Sequence, residues 1–258
     1  MRISIDRHGS GSISVVFLHG YCEGNWVWNN ILPHLPQAWT CWMIELPGFG
    51  NSDAMSDAEA SGSTLDDIGQ LILNECGRQH IRKPWIVGHS LGGYVALAMA
   101  AAAPDDVAGL ILFHSSPFAD SPERQEVRNQ VIASVKEYGP RPFLMTFADG
   151  LFREKGSEWQ YFSEHSRAVS GDAIAMYARL MRDRSDRSAL LRTGQLPIGV
   201  VAGRFDRLIP TEIIRQIAAL HPSVKIRELS GSAHMGMLEE PAEAAEILKS
   251  FIRPEDHG

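Results

Sequence analysis

Short runs of apolar residues recur along the chain and alternate with segments in which apolar and polar residues are mixed. The runs are rich in β-branched side chains, and several stop at Gly or Pro, which is typical of buried β-strands. They lie at 13–18, 40–46, 85–87, 107–113, 198–202 and 224–229. Strands that alternate with helices predict a mostly parallel sheet with helices on both faces.

The segments between these runs carry helix signals. Thr64 precedes a segment in which Leu65, Ile68 and Leu71 share one helical face, and Asp67 stands in capping-box register. Further helices are predicted at 91–103, 211–220 and 241–252. The segment 117–192 has helix-like patches but no convincing buried strand. We therefore expect a core domain of residues 1–116 and 193–258, with 117–192 as a helical lid inserted between two core strands.

Composition and charge exclude several classes of protein. No apolar run approaches the roughly 18–20 residues that cross a membrane, and the first residues lack the apolar core of a secretory signal. A formal net charge of −7 argues against a nucleic-acid surface. Cys22, Cys41 and Cys76 show no CxxC spacing, so we expect reduced thiols in a cytoplasmic protein. No metal-ligand or nucleotide motif is present, and no cofactor is predicted.

A serine between glycines lies where the third apolar run ends and an alanine-rich helix begins. The sequence Gly88-His89-Ser90-Leu91-Gly92 matches G-x-S-x-G, the nucleophile elbow. The turn is so tight that the serine must adopt a strained backbone conformation, and a Cβ on either glycine would collide with neighbouring backbone. The helix that follows directs unpaired N–H groups towards the serine. Ser90 is therefore the candidate nucleophile.

A serine hydroxyl needs an adjacent base that a third group orients. His234 lies just after the last predicted strand in a loop of small residues, and Asp206 follows the preceding strand. Both then reach the same edge of the sheet as Ser90, which predicts a Ser-His-Asp triad. The amides of Tyr21 and Leu91 are the predicted oxyanion donors, because His19-Gly20 ends the first predicted strand beside the serine.

Several motifs together resemble the α/β-hydrolase superfamily, namely FLHGY at 17–21, ELPGFGNSD at 45–53, GHSLGG at 88–93, GRFDRLIP at 203–210 and GSAHMGMLEEP at 231–241. The resemblance covers essentially the whole chain, and the order Ser, Asp, His is that of this fold. It implies an α/β-hydrolase fold with an eight-stranded, mostly parallel sheet and a lid over the serine. A serine at the elbow separates the chain from the branches that use aspartate there.

The expected function is hydrolysis of carboxylic esters with small to medium acyl groups, on a small-molecule substrate. The same residues also suit a C–C bond, thioester or lactone hydrolase, or a lyase like those of the menaquinone pathway, and a non-catalytic receptor is a further alternative. The candidate substrate-binding residues are Trp26, Trp28, His114, Phe143, Phe147 and Met235. The arginines at 179, 182, 184 and 187 form either a solvated face or an anion site. The oligomeric state is not predicted.

Overall fold

The computed structural model describes residues 1–252 and contains one seven-stranded sheet. The strands are β1 (Ile5–His8), β2 (Ile13–Leu18), β3 (Trp39–Ile44), β4 (Trp85–His89), β5 (Gly109–Phe113), β6 (Ile198–Gly203) and β7 (Lys225–Leu229). Their order is β1-β3-β2-β4-β5-β6-β7, with β1 antiparallel to β3 and every other neighbouring pair parallel. The mostly parallel sheet is confirmed, although residues 1–252 form seven strands where the resemblance implies eight.

Eleven α-helices accompany the sheet within residues 1–252. They are α1 (Asp57–Gly62), α2 (Leu65–Arg78), α3 (Leu91–Ala102), α4 (Pro122–Tyr138), α5 (Pro140–Leu151), α6 (Ser157–His165), α7 (Gly171–Arg182), α8 (Ser188–Arg192), α9 (Thr211–Ala218), α10 (Gly236–Glu239) and α11 (Pro241–Phe251). The capping box predicted at Thr64 is present, since its hydroxyl accepts from the Asp67 amide and the Asp67 carboxylate accepts from the Thr64 amide. None of the helices within this range combines the length and apolar character needed to cross a bilayer.

The central strands β4, β5 and β6 are buried along their whole length. Strands of a parallel sheet that helices cover on both faces have apolar side chains at nearly every position. These three strands are therefore easily found in the sequence. Because their carboxyl ends meet at one edge, the loops that follow them come together there, and such edges are where open α/β sheets bind ligands. This edge carries the candidate site.

Residues 117–192 hold α4 to α8 and no strand. The segment leaves the sheet after β5 and returns to it at β6. Its aromatic side chains pack on the loop after β2, where the ring of Tyr21 lies 5.5 Å from that of Phe147 and 5.9 Å from that of Phe143. The position is the one expected for an insertion over the serine, and its role as a lid stays a prediction.

Candidate active site

The turn between β4 and α3 is strained at Ser90. Its φ of 48° and ψ of −112° lie in a region that costs a non-glycine residue about 1–3 kcal/mol. A Cβ on Gly88 would lie 2.4 Å from the carbonyl oxygen of Gly92, and a Cβ on Gly92 would lie 2.3 Å from that of Leu18. Both glycines are therefore required by close backbone approach, and the serine side chain projects from the apex of the turn.

Hydrogen bonds fix the backbone of the elbow. The Ser90 amide donates to the Phe113 carbonyl at 3.0 Å, and the Ser90 carbonyl accepts from the Ser115 hydroxyl at 2.7 Å. Within residues 1–252 the Ser90 Oγ itself has no hydrogen-bond partner. Ser90 and His234 both line one cavity of about 470 Å³ at the carboxyl edge of the sheet. The hydroxyl and the imidazole predicted to react together thus face the same space.

The ring of His234 is oriented by the carboxylate of Asp206. Asp206 Oδ1 accepts hydrogen bonds from the amides of Leu208 and Ile209 at 2.8 and 3.0 Å, and Oδ2 lies 2.8 Å from His234 Nδ1. A carboxylate held in this way accepts the Nδ1–H of the ring, which leaves Nε2 free to act as a base. The structure therefore brings His234 and Asp206 together in the predicted pairing.

The environment of Asp206 keeps its carboxylate ionised. Burial by itself would raise the pKa of this group, since it disfavours the charged form. The charge of His234 and the hydrogen bonds from His114 and His234 outweigh burial and hold the pKa of Asp206 well below its usual range. A charged carboxylate at this position stabilises the imidazolium that His234 forms when it takes a proton.

His114 is a partner of the carboxylate, not a residue of the cavity wall. Its Nδ1 lies 3.0 Å from Asp206 Oδ2, and the side chain is fully buried behind the carboxylate. Burial lowers the pKa of His114 from 6.5 to about 4, although Asp206 opposes this. The ring is therefore neutral near pH 7 and donates its Nδ1–H. The fully buried ring lies outside the wall of the cavity that holds Ser90, so the structure favours a role on Asp206, and substrate binding by His114 stays a prediction.

Within residues 1–252, one group of side chains has potential metal-ligand atoms close together, namely His114, Asp206 and His234, all within 4.8 Å. Both ring nitrogens that lie there point at the same carboxylate oxygen, at 2.8 and 3.0 Å. Two N–H donors on one acceptor account for this geometry. The group is therefore interpreted as a hydrogen-bonded carboxylate with two imidazole donors.

Sequence reasoning missed Glu23 and the bonds of His89, which join three loops beneath Ser90. Glu23 Oε2 accepts from the Gly20 amide at 2.7 Å and lies 3.0 Å from His89 Nδ1, while His89 Nε2–H donates to the His234 carbonyl at 2.9 Å. Burial would raise the pKa of Glu23, but the charge and hydrogen bond of His89 lower it. The network fixes the loop after β2, the elbow and the His234 loop relative to one another.

The predicted oxyanion donors lie on two elements that this network holds. Leu91 is the first residue of α3, and Tyr21 follows the amide of Gly20 that Glu23 binds. Within the described chain, the amides of Tyr21 and Leu91 donate to no backbone or side-chain acceptor. Unpaired N–H groups at a helix start are suited to receive a developing negative charge. Their role as an oxyanion hole stays a prediction.

The predicted substrate-binding residues other than His114 lie in three different surroundings. Phe143 and Phe147 line the cavity together with Ser90. Trp28 and Met235 are fully buried in the core and lie outside the cavity wall, and their contact with substrate stays a prediction. Trp26 packs instead on the insertion, with its ring 5.5 Å from that of Tyr161. Large aromatic residues beside a site are equally typical of packing and of binding, so the sequence alone does not separate these two roles.

The arginines at 179–187 also lie outside this cavity. Each has a structural partner: Arg179 donates to the carbonyls of Ala60 and Ser63, and Arg182 pairs with Asp183, Arg184 with Asp120 and Arg187 with Asp66. The paired, structural interpretation of these four side chains is therefore favoured over the anion site.

The chain is similar to known hydrolases and esterases. The sequence profile of the Alpha/beta hydrolase family matches residues 15–247. The chain is 27% identical to a pimeloyl-[acyl-carrier protein] methyl ester esterase of Aeromonas hydrophila, over 98% of this chain and 100% of that protein. It is 28% identical to the esterase of the same name from Photobacterium profundum, over 95% and 96%.

Among solved structures, a thermophilic esterase from Thermogutta terrifontis with malate bound superposes with a TM-score of 0.90. The sequences are 24% identical, and the match covers 99% of this chain and 94% of that one, so it shows the shared fold. The family profile spans nearly the whole chain, and it shows family membership as well as the fold. On this evidence the chain belongs to the α/β-hydrolase family of enzymes.

Proposed function

We propose that this enzyme is a serine hydrolase that cleaves carboxylic esters of small to medium acyl groups through an acyl-enzyme. The observation that carries the proposal is that Ser90, at a strained elbow, shares a cavity with His234, whose Nδ1 is held 2.8 Å from the buried Asp206 carboxylate. A hydroxyl, a base and an orienting carboxylate are the parts that acyl transfer requires. The esterases among its relatives support the same chemistry.

The proposed reaction has two halves. Ser90 Oγ attacks the ester carbonyl while His234 Nε2 takes the hydroxyl proton, and the Asp206 carboxylate stabilises the imidazolium. The amides of Tyr21 and Leu91 donate to the oxyanion of the tetrahedral intermediate. His234 returns the proton to the leaving alkoxide, and the ester C–O bond breaks. Water, activated by His234, then hydrolyses the acyl-enzyme, which releases the acid and restores the serine.

The substrate is proposed to enter between the core and residues 117–192, which act as a lid. A cavity of about 470 Å³ falls within the usual range for small-molecule sites, roughly 300–1,000 Å³. Phe143 and Phe147 give the acyl chain an apolar wall. The relatives act on a methyl ester, and this supports a small alcohol as the leaving group.

The proposal predicts a burst of p-nitrophenol when the enzyme meets p-nitrophenyl butyrate. Acylation releases one equivalent per active site, and slower deacylation then sets the steady rate. Stopped-flow absorbance measures both phases, with buffer alone as the control. Absence of release above buffer would count against the proposal. Turnover of a thioester or lactone, with carboxylic esters left intact, would assign the site to one of the alternative reactions of this fold.

A further inference from the structure

Positive charge lines one side of the cavity that holds Ser90. Arg124 and Arg128 reach it from α4, and Arg207 reaches it from the loop after Asp206. Within residues 1–252, the wall of this cavity contains no Asp or Glu side chain. The other side chains of the wall are mostly apolar, among them Val131, Phe143 and Phe147. The cavity wall therefore combines the candidate nucleophile and base with apolar side chains and three arginines.

The arginines on α4 carry more charge than their structural partner neutralises. The carboxylate of Asp120 is fully buried and lies 3.7 Å from Arg124 Nε, 3.2 Å from Arg128 Nε and 2.7 Å from Arg184 Nη1. Arg184 is itself buried and stacks on the ring of Tyr94 at 4.0 Å, so its role is structural. One carboxylate among three guanidinium groups leaves a net positive charge beside the cavity.

Arg128 and Arg207 both line the cavity and keep guanidinium N–H groups that can bind a ligand, since Arg128 contacts Asp120 through its Nε. The side chain of Arg128 is only 16% exposed, and its charge acts on Tyr21, in the loop that follows β2. Arg207 forms no ion pair within the described chain. A guanidinium binds a carboxylate through two parallel N–H bonds, and it does so most strongly where water is partly excluded. The mostly buried side chain of Arg128 meets this condition.

We propose that Arg124, Arg128 and Arg207 form a carboxylate subsite, so that the preferred substrates are monoesters of dicarboxylic acids. This inference rests on the proposed function, because the ester group of the same molecule must reach Ser90. Since the proposed leaving group is a small alcohol, the free carboxylate belongs to the acyl part. Hydrolysis of such a substrate uses water and gives the dicarboxylate and the alcohol, with no other reactant.

The test compares two esters that differ in charge, monomethyl adipate and dimethyl adipate. The wild-type enzyme is expected to have a higher kcat/KM for the monoester at neutral pH, measured by proton release. Arg128→Met is expected to lower the ratio of the two kcat/KM values by about 10- to 100-fold, the loss typical of a charge-assisted hydrogen bond. Arg128→Lys keeps the positive charge but loses the paired N–H groups of the guanidinium. Its ratio of kcat/KM values should lie between those of the wild type and Arg128→Met.

Two further variants serve as controls. Arg182→Met removes an arginine of α7 that pairs with Asp183 outside the cavity, and it should leave the ratio unchanged. Arg207→Met removes a cavity arginine that has no ion pair in the described chain, and it replaces Arg128→Met if that variant fails to fold. Thermal unfolding of each variant shows which of them are native.

The outcomes separate this inference from the function on which it rests. If p-nitrophenyl butyrate and both adipate esters are left intact, the proposed function fails. If p-nitrophenyl butyrate is hydrolysed and neither adipate ester is, the subsite is wrong and the esterase function stands. If both are hydrolysed at a ratio that Arg128→Met and Arg207→Met leave unchanged, the subsite is wrong and the esterase function stands. Adipate should also inhibit hydrolysis of p-nitrophenyl butyrate more strongly than inorganic phosphate does. The reverse order would overturn the carboxylate assignment.

Discussion

Ser90→Ala is expected to lower kcat for ester hydrolysis by about 10⁶-fold, the loss seen when the nucleophile of a serine hydrolase is removed. Alanine keeps the Cβ that the turn already accommodates at φ 48°, and the deleted Oγ has no hydrogen-bond partner within residues 1–252. The fold should therefore survive. Steady-state hydrolysis of p-nitrophenyl butyrate measures the loss, and circular dichroism with thermal unfolding measures the fold.

A matched control is Ser116→Ala. Ser116 is also buried and follows β5 at the same edge of the sheet, but its hydroxyl accepts from the Phe118 amide and lies outside the cavity wall. Its removal should change kcat by no more than a few-fold. Retention of wild-type kcat by Ser90→Ala, or equal losses in the two variants, would show that Ser90 is not the nucleophile.

Asp206→Asn is expected to lower kcat by about 10⁴-fold, as the same change does in a serine protease triad. If the amide oxygen of asparagine keeps the bonds from Leu208 and Ile209, its NH₂ group faces His234 Nδ1. The imidazole must then present a lone pair at Nδ1 and carry its proton on Nε2, where it can no longer accept the serine proton. A kcat within tenfold of the wild type would contradict this role.

Substitution of His114 is expected to have a smaller effect than Asp206→Asn, because His114 is the second imidazole that donates to the Asp206 carboxylate. His114→Leu removes the N–H donor, so Asp206 should stabilise the His234 imidazolium more strongly and the acid limb of kcat/KM should move to higher pH. The titratable groups that face His114 are Asp206, His234 and His89. The loss in kcat should stay near tenfold, since the carboxylate retains His234 and two amides.

His114→Asn distinguishes positioning from packing. Asparagine places an amide N–H where Nδ1 lies, so it should return the pH profile towards that of the wild type. A profile that is unchanged in His114→Leu, or shifted equally in both variants, would assign His114 a packing role only. Stability gives a second readout. The folded-state pKa of about 4 lies below 6.5, so unfolding becomes easier as pH falls between these values, and His114→Leu should weaken that dependence.

The sequence predicted the parts of the site whose positions follow from local pattern and strand order. The G-x-S-x-G turn is local, and Asp206 and His234 each follow a strand of the parallel sheet. The edge strand β1 was missed because its sequence, IDRH, is polar and mostly exposed. An exposed edge strand lacks the apolar run by which buried strands are found.

The connections within the site could not be predicted, because they join residues far apart in the chain. Glu23 and His89 are separated by 66 positions, and His114 and Asp206 by 92. Nothing in the spacing of these residues indicates the contact. Trp28 shows the converse: a tryptophan beside the loop after β2 suggested a pocket, yet it packs on Phe17 and Phe113 in the core. Only the three-dimensional arrangement separates a binding residue from a packing residue.

The most direct measurement is covalent capture of the nucleophile by a serine-reactive fluorophosphonate, followed by mass spectrometry of the digested protein. One adduct per chain is expected, on the peptide that contains Ser90, and ester hydrolysis should disappear in proportion to labelling. Ser90→Ala should take up no label. Complete inactivation with Ser90 unmodified, or complete labelling of Ser90 with activity retained, would contradict the account.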